Sequence, residues 1–312
     1  MKPHLSLTRV AFTFAALALP LTPARAQLAH VTFAPGDIFV SFEQGPVQWR
    51  NADGSLNAVL VSRVPGKSEG MRLDTSANLY VSHWCADPAC ASGNTVERFN
   101  AQGVSQGAFG SGYNCNPHAL AFDGGGNAFV GQADCAGTVL KFSSGGQPLA
   151  SYAVAPETRG AFWVDLRPDG CTLLYTSWGP DVKQFNVCAN SQLANFNHAP
   201  LPGGQTQGLV ALPDGGVLVS SGAAIARLNA TGTLTQTYSI AGQSQYWAGL
   251  DLVGDGTFWA LDYFSSDAHR FNLTSGALVA SFSTGGAPQT AVDIRVYRPT
   301  GGLGLPPIKL PF

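Results

Sequence analysis

Residues 118–132 read HALAFDGGGNAFVGQ, an apolar stretch, a turn of Asp, Gly and Asn, and a second apolar stretch. This pattern is typical of a β-hairpin, because Asp, Gly and Asn accept the backbone geometry of a tight turn between two strands. Similar segments begin at Glu69, Phe162, Gln207 and Ala248. The hairpin is therefore a repeated unit, and its repetition decides the fold.

A second motif recurs between the hairpins: a basic or polar residue, then usually an aromatic residue and Asn. It is clearest as Arg98-Phe99-Asn100. The third residues of its copies are 51, 100, 143, 186, 229 and 272, so the last four steps are all 43 residues. Four strands in about 43 residues is the period of a β-propeller blade. Solenoid repeats of similar length are mostly helical, whereas these segments alternate as strands do.

The two ends of the repeat array complement each other. The first copy, residues 36–44, lacks its leading strand, while residues 290–297, TAVDIRVY, form a leading strand with no blade after it. We expect the C-terminal strand to complete the N-terminal blade, because this removes two exposed sheet edges. The sequence thus predicts an all-β, six-bladed β-propeller with four-stranded antiparallel blades over residues 27–298. A Pro- and Gly-rich tail follows at 299–312.

The N-terminal residues 1–26 are predicted to be a signal peptide. Lys2 and Arg9 precede an apolar stretch at 10–21, and Ala24-Arg25-Ala26 offers small residues for cleavage. The apolar stretch is too short to span a bilayer comfortably, and no membrane span is expected elsewhere. We therefore expect a secreted or periplasmic protein.

The composition excludes several classes of protein. Only 12% of the 312 residues are charged and 37 are Gly, which is too apolar for a disordered chain and too Gly-rich for a helical bundle. The 17 basic and 19 acidic residues create no positive field for nucleic acid, so no nucleic-acid partner is expected.

All six cysteines follow the predicted signal peptide, and an even number in an exported chain indicates disulfides. Two pairs lie symmetrically about predicted hairpin turns and should face each other across neighbouring strands. The third pair remains within one loop, where a metal site is the alternative. The expected disulfides are Cys171–Cys188, Cys115–Cys135 and Cys85–Cys90.

The chain resembles the six-bladed NHL-type and gluconolactonase-like propellers of the TolB-like superfamily. The resemblance rests on the hairpin at Ala119–Gly131 and on Lys141-Phe142, and it covers nearly all of the chain after residue 26. It implies the propeller fold. It leaves the activity open, because this scaffold carries hydrolases, lyases, oxidoreductases and binding modules.

The first strands of the blades should line the central channel. Their alignment places one residue of each at the same mouth, which we call the top face: Glu69, His118, Phe162, Gln207, Ala248 and Thr290. In gluconolactonase-like proteins, metal ligands stand just before a Gly-Leu or Gly-Met pair, and Glu69 and Gln207 match that register. The resemblance implies a divalent cation, Ca²⁺ or Zn²⁺, near Glu69, His118 and Gln207. The family supplies carboxylates and an Asn there, whereas this chain has one carboxylate, one amide and one His.

Pro117-His118 also resembles the amidating-lyase and virginiamycin-lyase type of propeller. Those proteins repeat the His in several blades, whereas this chain has it once. A structural or solvent-exposed role for His118 is the alternative.

The ends of the second strands should also reach the top face, where many aromatic residues stand beside polar ones. Such a surface suits a small molecule, a glycan or a protein partner, since rings supply flat apolar area and polar groups supply direction. Packing between blades is the alternative role for these rings. The predicted ligand-binding residues are His83, Trp84, His118, Gln132, Trp178, Gln207, Trp247, Asp262 and Tyr263.

Further down the same strands lies a charged tier of Arg72, Asp165, Asp251 and Asp293. These residues either hold a channel cation or hydrogen-bond neighbouring backbone and water, because inner-strand carboxylates need compensation.

Three hypotheses for the function follow. The first is a propeller that binds a ligand or partner through the top face without catalysis. The second is a metal-dependent hydrolase or lyase, lactonase-like, with Asp262 or His83 as general base. The third is a structural module of a surface assembly.

Overall fold

The computed structural model describes residues 31–299, except residues 44, 115 and 136. The predicted signal peptide and the predicted tail beyond Pro299 lie outside the described residues. The described residues form 24 strands, which are numbered in chain order: β1 (Ile38–Phe42), β2 (Val47–Arg50), β3 (Leu56–Leu60), β4 (Lys67–Leu73), β5 (Leu79–Trp84), β6 (Thr95–Phe99), β7 (Ser105–Ala108), β8 (Pro117–Phe122), β9 (Ala128–Gln132), β10 (Thr138–Phe142), β11 (Pro148–Ala153), β12 (Trp163–Leu166), β13 (Thr172–Thr176), β14 (Lys183–Asn186), β15 (Ser191–Gln192), β16 (Thr206–Ala211), β17 (Val217–Ser221), β18 (Ala224–Leu228), β19 (Leu234–Tyr238), β20 (Trp247–Leu252), β21 (Thr257–Asp262), β22 (Asp267–Asn272), β23 (Leu278–Ser283) and β24 (Ala291–Val296).

The strands form six four-stranded antiparallel sheets arranged as the blades of a propeller, as the sequence predicts. Blades 2 to 6 are the consecutive sets β4–β7, β8–β11, β12–β15, β16–β19 and β20–β23. Blade 1 has the order β24-β1-β2-β3, in which Ile38 faces Val296, so the C-terminal strand closes the ring. In the described part of the chain, no helix is long and apolar enough to cross a membrane.

The repeated aromatic residue of the second motif is buried in the core of four blades. The side chains of Phe99, Phe142, Phe185 and Phe271 are at most 2% exposed, and Leu228 takes this place in blade 5. Burying a large apolar side chain contributes about 1.5–3 kcal/mol, so the 43-residue repeat also repeats a stabilising contact.

The inner strands leave their regular pairing at the top of the channel. Between Ser68 and Met71 the register of β4 against β5 shifts, so Glu69 and Gly70 fall in the irregularity. The same shift occurs at His118, Gln207 and Ala248 in three other blades. A bulge re-aims side chains, and here it turns the mouth residues toward the channel.

Glycine follows the mouth residue where neighbouring blades come closest. A Cβ atom on Gly70 would lie 2.4 Å from the carbonyl oxygen of His118 in the next blade. A hydroxyl of the preceding blade donates to the carbonyl of the mouth residue in three blades: Ser41 to Glu69 (2.6 Å), Thr176 to Gln207 (2.7 Å) and Ser220 to Ala248 (2.7 Å). The mouth is therefore held by direct contacts between blades.

Two of the predicted disulfides are confirmed. Cys85–Cys90 closes a loop of blade 2, and Cys171–Cys188 lies just beyond the Thr172–Asn186 pair of blade 4, with Cα–Cα distances of 4.7 and 5.2 Å. Cys135 is also disulfide-bonded, but Cys115 lies outside the described residues, so their pairing stays a prediction. Disulfides persist in oxidising compartments, which fits an extracellular or periplasmic environment.

Candidate functional site

A cavity of about 220 Å³ opens at the top of the channel. All six blades contribute to its wall, which contains Glu43, Glu69, Trp84, His118, Arg159, Phe162, Trp163, Trp178, Gln207, Tyr246, Ala248, Tyr263 and Val292. Five of the six predicted mouth residues line it. In blade 1, Val292 lines the cavity instead of Thr290.

One side of the cavity is an aromatic box, formed by Trp84, Phe162 and Trp178 around the guanidinium of Arg159. The guanidinium carbon lies 4.7, 5.3 and 4.8 Å from the centres of the three rings. Each ring attracts the cation through its negative face, and Arg stacks on rings better than Lys because its charge is spread over a plane. The box therefore holds Arg159 in a defined orientation.

The loop that carries Arg159 is tied to neighbouring segments of the top face. The carbonyl of Ser177 accepts hydrogen bonds from the backbone N–H groups of Thr158 and Arg159, both at 3.0 Å. Arg159 Nε donates to Asp134 at 2.9 Å, and the other carboxylate oxygen of Asp134 accepts from Asn116 at 2.7 Å. Asn116 in turn accepts from the backbone N–H of Cys85. This network links the Cys85–Cys90 loop of blade 2 to the aromatic box.

Trp178 adopts an unusual backbone conformation at this site, with φ of 57°. A bulky residue at positive φ is an outlier that costs on the order of 1–3 kcal/mol and persists only where its surroundings impose it. Trp178 is held between the Arg159 guanidinium and Phe162, whose ring centre lies 5.4 Å away.

His118 and Glu69 meet at the inner wall of the cavity. His118 Nδ1 lies 3.9 Å from Glu69 Oε2, and the imidazole stacks on Phe162 with 4.0 Å between ring centres. Burial lowers the pKa of His118 well below its usual value, and the cations Arg159 and Arg295 act in the same direction. Burial, together with the charge of Glu43, raises the pKa of Glu69 well above its usual value. Burial thus favours the uncharged form of both groups.

Several buried polar atoms of the cavity wall have no hydrogen-bond partner within the protein. They are both ring nitrogens of His118 and the indole nitrogens of Trp84, Trp163 and Trp178. More than nine in ten buried polar groups of native proteins have a partner, counting ordered water. These five nitrogens belong to four residues of the cavity wall, which marks this wall as a candidate surface for binding water or a ligand.

The structure brings together only part of the predicted site. Of the nine predicted ligand-binding residues, the five that line the cavity are Trp84, His118, Trp178, Gln207 and Tyr263. All three predicted metal ligands, Glu69, His118 and Gln207, line it as well.

His83, a candidate general base, lies outside the cavity wall. It is 1% exposed, and its Nε2 lies 3.3 Å from a carboxylate oxygen of Glu97. Glu97 also accepts hydrogen bonds from Ser62 and from the N–H of Arg63. His83 therefore belongs to a buried polar cluster that fixes the linker between blades 1 and 2.

Asp262, the other candidate base, supports a loop of the top face. Its carboxylate accepts hydrogen bonds from the N–H of Tyr246 at 2.9 Å and from the hydroxyl of Ser265 at 2.8 Å. It thereby positions the tyrosine wall of the cavity without lining it.

Gln132 and Trp247 also lie outside the cavity. Gln132 accepts from the N–H of Asn114 and donates to Thr138. Trp247 is fully buried, and its indole donates to the carbonyl of Ala223.

The charged tier lies below the cavity, and each Asp joins two blades. Asp165, Asp251 and Asp293 accept the backbone N–H of Ala211, Val296 and Met71 on the inner strand of the next blade, at 2.9, 2.9 and 2.7 Å. Each carboxylate also pairs with an arginine, respectively Arg72, Arg298 and Arg295. All six carboxylate oxygens accept at least one hydrogen bond.

Sequence analysis missed Arg159, Glu43 and Trp163. The loops between blades share the top face, so the position of Arg159 just before an inner strand was the available signal. Trp163 could not be assigned to the channel, because it directly follows Phe162 and neighbouring strand residues normally point to opposite faces.

The cavity offers few ligands to a divalent metal. Among the described residues, no group of three or more His, Cys, Asp or Glu side chains is placed to hold an ion. Catalytic zinc sites generally use three such ligands. A metal here would depend on the amide of Gln207 as a third ligand.

Comparisons with known proteins identify the fold alone. No known protein family and no curated protein matches the sequence. A protein in a nidogen/laminin complex is similar in structure, with 12% identity, a TM-score of 0.67 and coverage of 83% of this chain and 97% of that one. A protein of unknown function from Bacteroides caccae is also similar, with 14% identity, a TM-score of 0.67 and coverage of 84% of this chain and 98% of that one. A streptogramin B lyase is similar as well, with 11% identity, a TM-score of 0.60 and coverage of 85% of this chain and 88% of that one.

Proposed function

We propose that the protein is an exported β-propeller that binds a small organic ligand in the cavity at the top of its channel. The observation that carries the proposal is the cavity wall itself, where His118 and three tryptophans present buried polar atoms without partners. Ligand sites combine apolar and aromatic walls with a few directional polar groups, and this wall has that composition.

A compound library with a cavity-filling variant tests the proposal. Ala248 is 3% exposed and lines the cavity, so Ala248→Phe should fill it; Val279→Phe adds the same ring on an outer strand, where Val279 is half-exposed. We expect at least one compound to raise the melting temperature of the wild type and Val279→Phe but not of Ala248→Phe. Gln207→Trp fills the cavity from another blade and serves if Ala248→Phe does not fold.

Compounds that act equally on the filled variants would contradict a cavity site. Such a result, or a library without hits, would favour a larger partner on the rim. The ligand would then be a glycan or a protein bound on the rim of the cavity. The Ala248→Phe variant should still capture such a partner in a pull-down experiment.

The metal-dependent hydrolase or lyase is the second candidate. One observation favours it: Glu69, His118 and Gln207 line the same cavity, with Glu69 and His118 in contact. It predicts about one Ca²⁺ or Zn²⁺ per chain in protein purified without chelator, and loss of that ion in Glu69→Ala. Elemental mass spectrometry of the two proteins decides the question, and equal metal content would count against this candidate.

Export is part of the same proposal. The Cys85–Cys90 and Cys171–Cys188 disulfides support it, because such bonds are rare in reducing compartments. Cleavage after Ala26 should give a mature chain that begins at Gln27, which N-terminal sequencing of the exported protein would detect.

A further inference from the structure

The aromatic box is already filled by a cation of the chain itself. Three rings surround the guanidinium of Arg159 at 4.7–5.3 Å. A cationic ligand would have to displace Arg159 from its rings and from Asp134. The part of the box left to a ligand is the free edge of the guanidinium.

That edge is a hydrogen-bond donor without an acceptor. Nε and Nη2 of Arg159 both donate to Asp134, whereas Nη1 has no hydrogen-bond partner among the described residues. The indole N–H groups of Trp84, Trp163 and Trp178 also lack an acceptor. An indole nitrogen can only donate, and so can a guanidinium. This side of the cavity therefore favours a ligand group that accepts hydrogen bonds, and a carboxylate is the strongest such acceptor.

The wall of the cavity carries the guanidinium of Arg159 and the carboxyl groups of Glu43 and Glu69. Burial raises the pKa of Glu69 and so favours its uncharged form. Arg159 is the one cationic side chain among the described residues that line the cavity. The carboxylate of Glu43 lies at the rim, is 30% exposed and sits 3.9 Å from Lys67 Nζ, so its charge is partly balanced outside the cavity.

We propose that the cavity binds a flat organic acid of one or two rings, whose carboxylate accepts hydrogen bonds from Arg159 and from the neighbouring indoles. Guanidinium and carboxylate are matched in charge and geometry. The ring of the ligand would lie against Tyr246, Tyr263, Ala248 and Val292 on the other side of the cavity. A cavity of roughly 150 Å³ holds benzene, so the 220 Å³ here suits one or two rings. This inference rests on the proposed function and adds the ligand class.

Matched compounds of different charge test the inference. Benzoate and 2-naphthoate are compared with the neutral benzamide and 2-naphthamide and with the cationic benzylammonium and 2-naphthylmethylammonium, by isothermal titration calorimetry on disulfide-bonded protein. We expect at least one carboxylate to bind about tenfold or more tightly than its amide and its ammonium counterpart, since hydrogen bonds to charged groups contribute that much.

Variants assign the effect to Arg159. Arg159→Gln should weaken carboxylate binding about 10- to 100-fold and amide binding little. Arg167→Gln is the matched control, because Arg167 also stacks on a ring, Phe196 at 5.3 Å, but lies outside the cavity wall. Trp178→Phe keeps the ring and removes the indole N–H, so it should weaken carboxylate binding several-fold; it also serves if Arg159→Gln does not fold.

The outcomes separate this inference from the proposed function. Amides or ammonium compounds that bind as tightly as the carboxylates, or carboxylate affinity unchanged in Arg159→Gln, would overturn the ligand class. If none of the six compounds binds, the ligand class is wrong, while the library screen with Ala248→Phe still decides whether the cavity binds a ligand at all.

Discussion

The buried polar groups at the two ends of the central channel differ in whether they have hydrogen-bond partners. In the charged tier, all six oxygens of three buried carboxylates accept hydrogen bonds, and each carboxylate pairs with an arginine. At the top mouth, the nitrogens of His118 and of three tryptophans are buried without partners, and Trp178 has a strained backbone. The two sets meet on one strand, β12, which carries Trp163 of the mouth and Asp165 of the charged tier.

This contrast separates structure from function within one channel. Polar groups that satisfy one another hold the blades together. Unsatisfied groups cost stability unless something else binds them, so their concentration at one mouth indicates where a ligand binds. Substitutions in the charged tier should therefore affect stability, and substitutions at the mouth should affect binding.

The largest effect is expected from Asp251→Ala. The substitution removes the carboxylate that accepts from the N–H groups of Leu252 and Val296 and from Nη2 of Arg298. Breaking a buried ion pair from one side typically costs about 3–5 kcal/mol. Denaturant unfolding, followed by tryptophan fluorescence, measures the loss.

Asp255→Ala is the matched control for this prediction. Asp255 also pairs with an arginine, Arg270, but its side chain is 53% exposed, so the expected loss is at most about 1 kcal/mol. Equal losses in the two variants would show that the charged tier does not hold the ring together.

The second prediction concerns pH and Asp293. Burial raises the pKa of Asp293 to about 6, although Arg295 and the N–H of Met71 favour its charged form. The native state then holds this proton more tightly than the unfolded chain does, so the stabilisation is present below about pH 4 and is lost as the pH rises through 6. The contribution of Asp293 to the free energy of unfolding should fall by about 3 kcal/mol at most over this window.

Asp293→Asn isolates this contribution. The variant lacks the titrating carboxyl, so the wild type should lose stability relative to the variant between pH 4 and 6.5, whatever their absolute stabilities. Parallel pH profiles from denaturant unfolding would contradict the raised pKa.

The third prediction compares disulfides at the two ends of the molecule. Replacing Cys171 and Cys188 by Ala opens a link over 17 residues and should cost about 3 kcal/mol, against about 2 kcal/mol for Cys85 and Cys90, which are 5 residues apart. Only the second pair adjoins Trp84 and the Asn116–Asp134–Arg159 network.

Binding of a cavity ligand should therefore weaken in the Cys85/Cys90 variant and stay unchanged in the Cys171/Cys188 variant. The library hits of the cavity screen supply the probe. If binding were unchanged in the Cys85/Cys90 variant and weakened in the Cys171/Cys188 variant, the Cys85–Cys90 loop would not support the Asn116–Asp134–Arg159 network.

The fold could be predicted from the sequence because its information is repeated. Each blade uses the same turn chemistry and the same buried ring, as in Phe99 and Phe142, so errors in one copy are corrected by the others. The missing strand of the first copy and the surplus strand at 290–297 then determined the closure of the ring.

The site could be predicted only where it follows the repeat. Glu69, His118 and Gln207 occupy the same bulge in three blades and were found by alignment. Arg159 belongs to a single loop, and a loop has no register to align. Along the strands, side-chain direction decided the outcome: in His83-Trp84 only the tryptophan lines the cavity, since successive residues point to opposite faces.

Only a small effect on stability is expected from Arg159→Gln, although this residue contacts three rings and a carboxylate. The Arg159 and Asp134 side chains are 18% and 35% exposed, so water can replace much of their interaction, and a loss of about 1 kcal/mol is expected. Arg72→Gln removes an arginine from a pair whose side chains are 13% and 6% exposed, and should cost at least twice as much in the same denaturant titration. A larger loss for Arg159→Gln than for Arg72→Gln would make the aromatic box a structural element. A small loss combined with weaker ligand binding would mean that Arg159 is held in place for a ligand rather than for the fold.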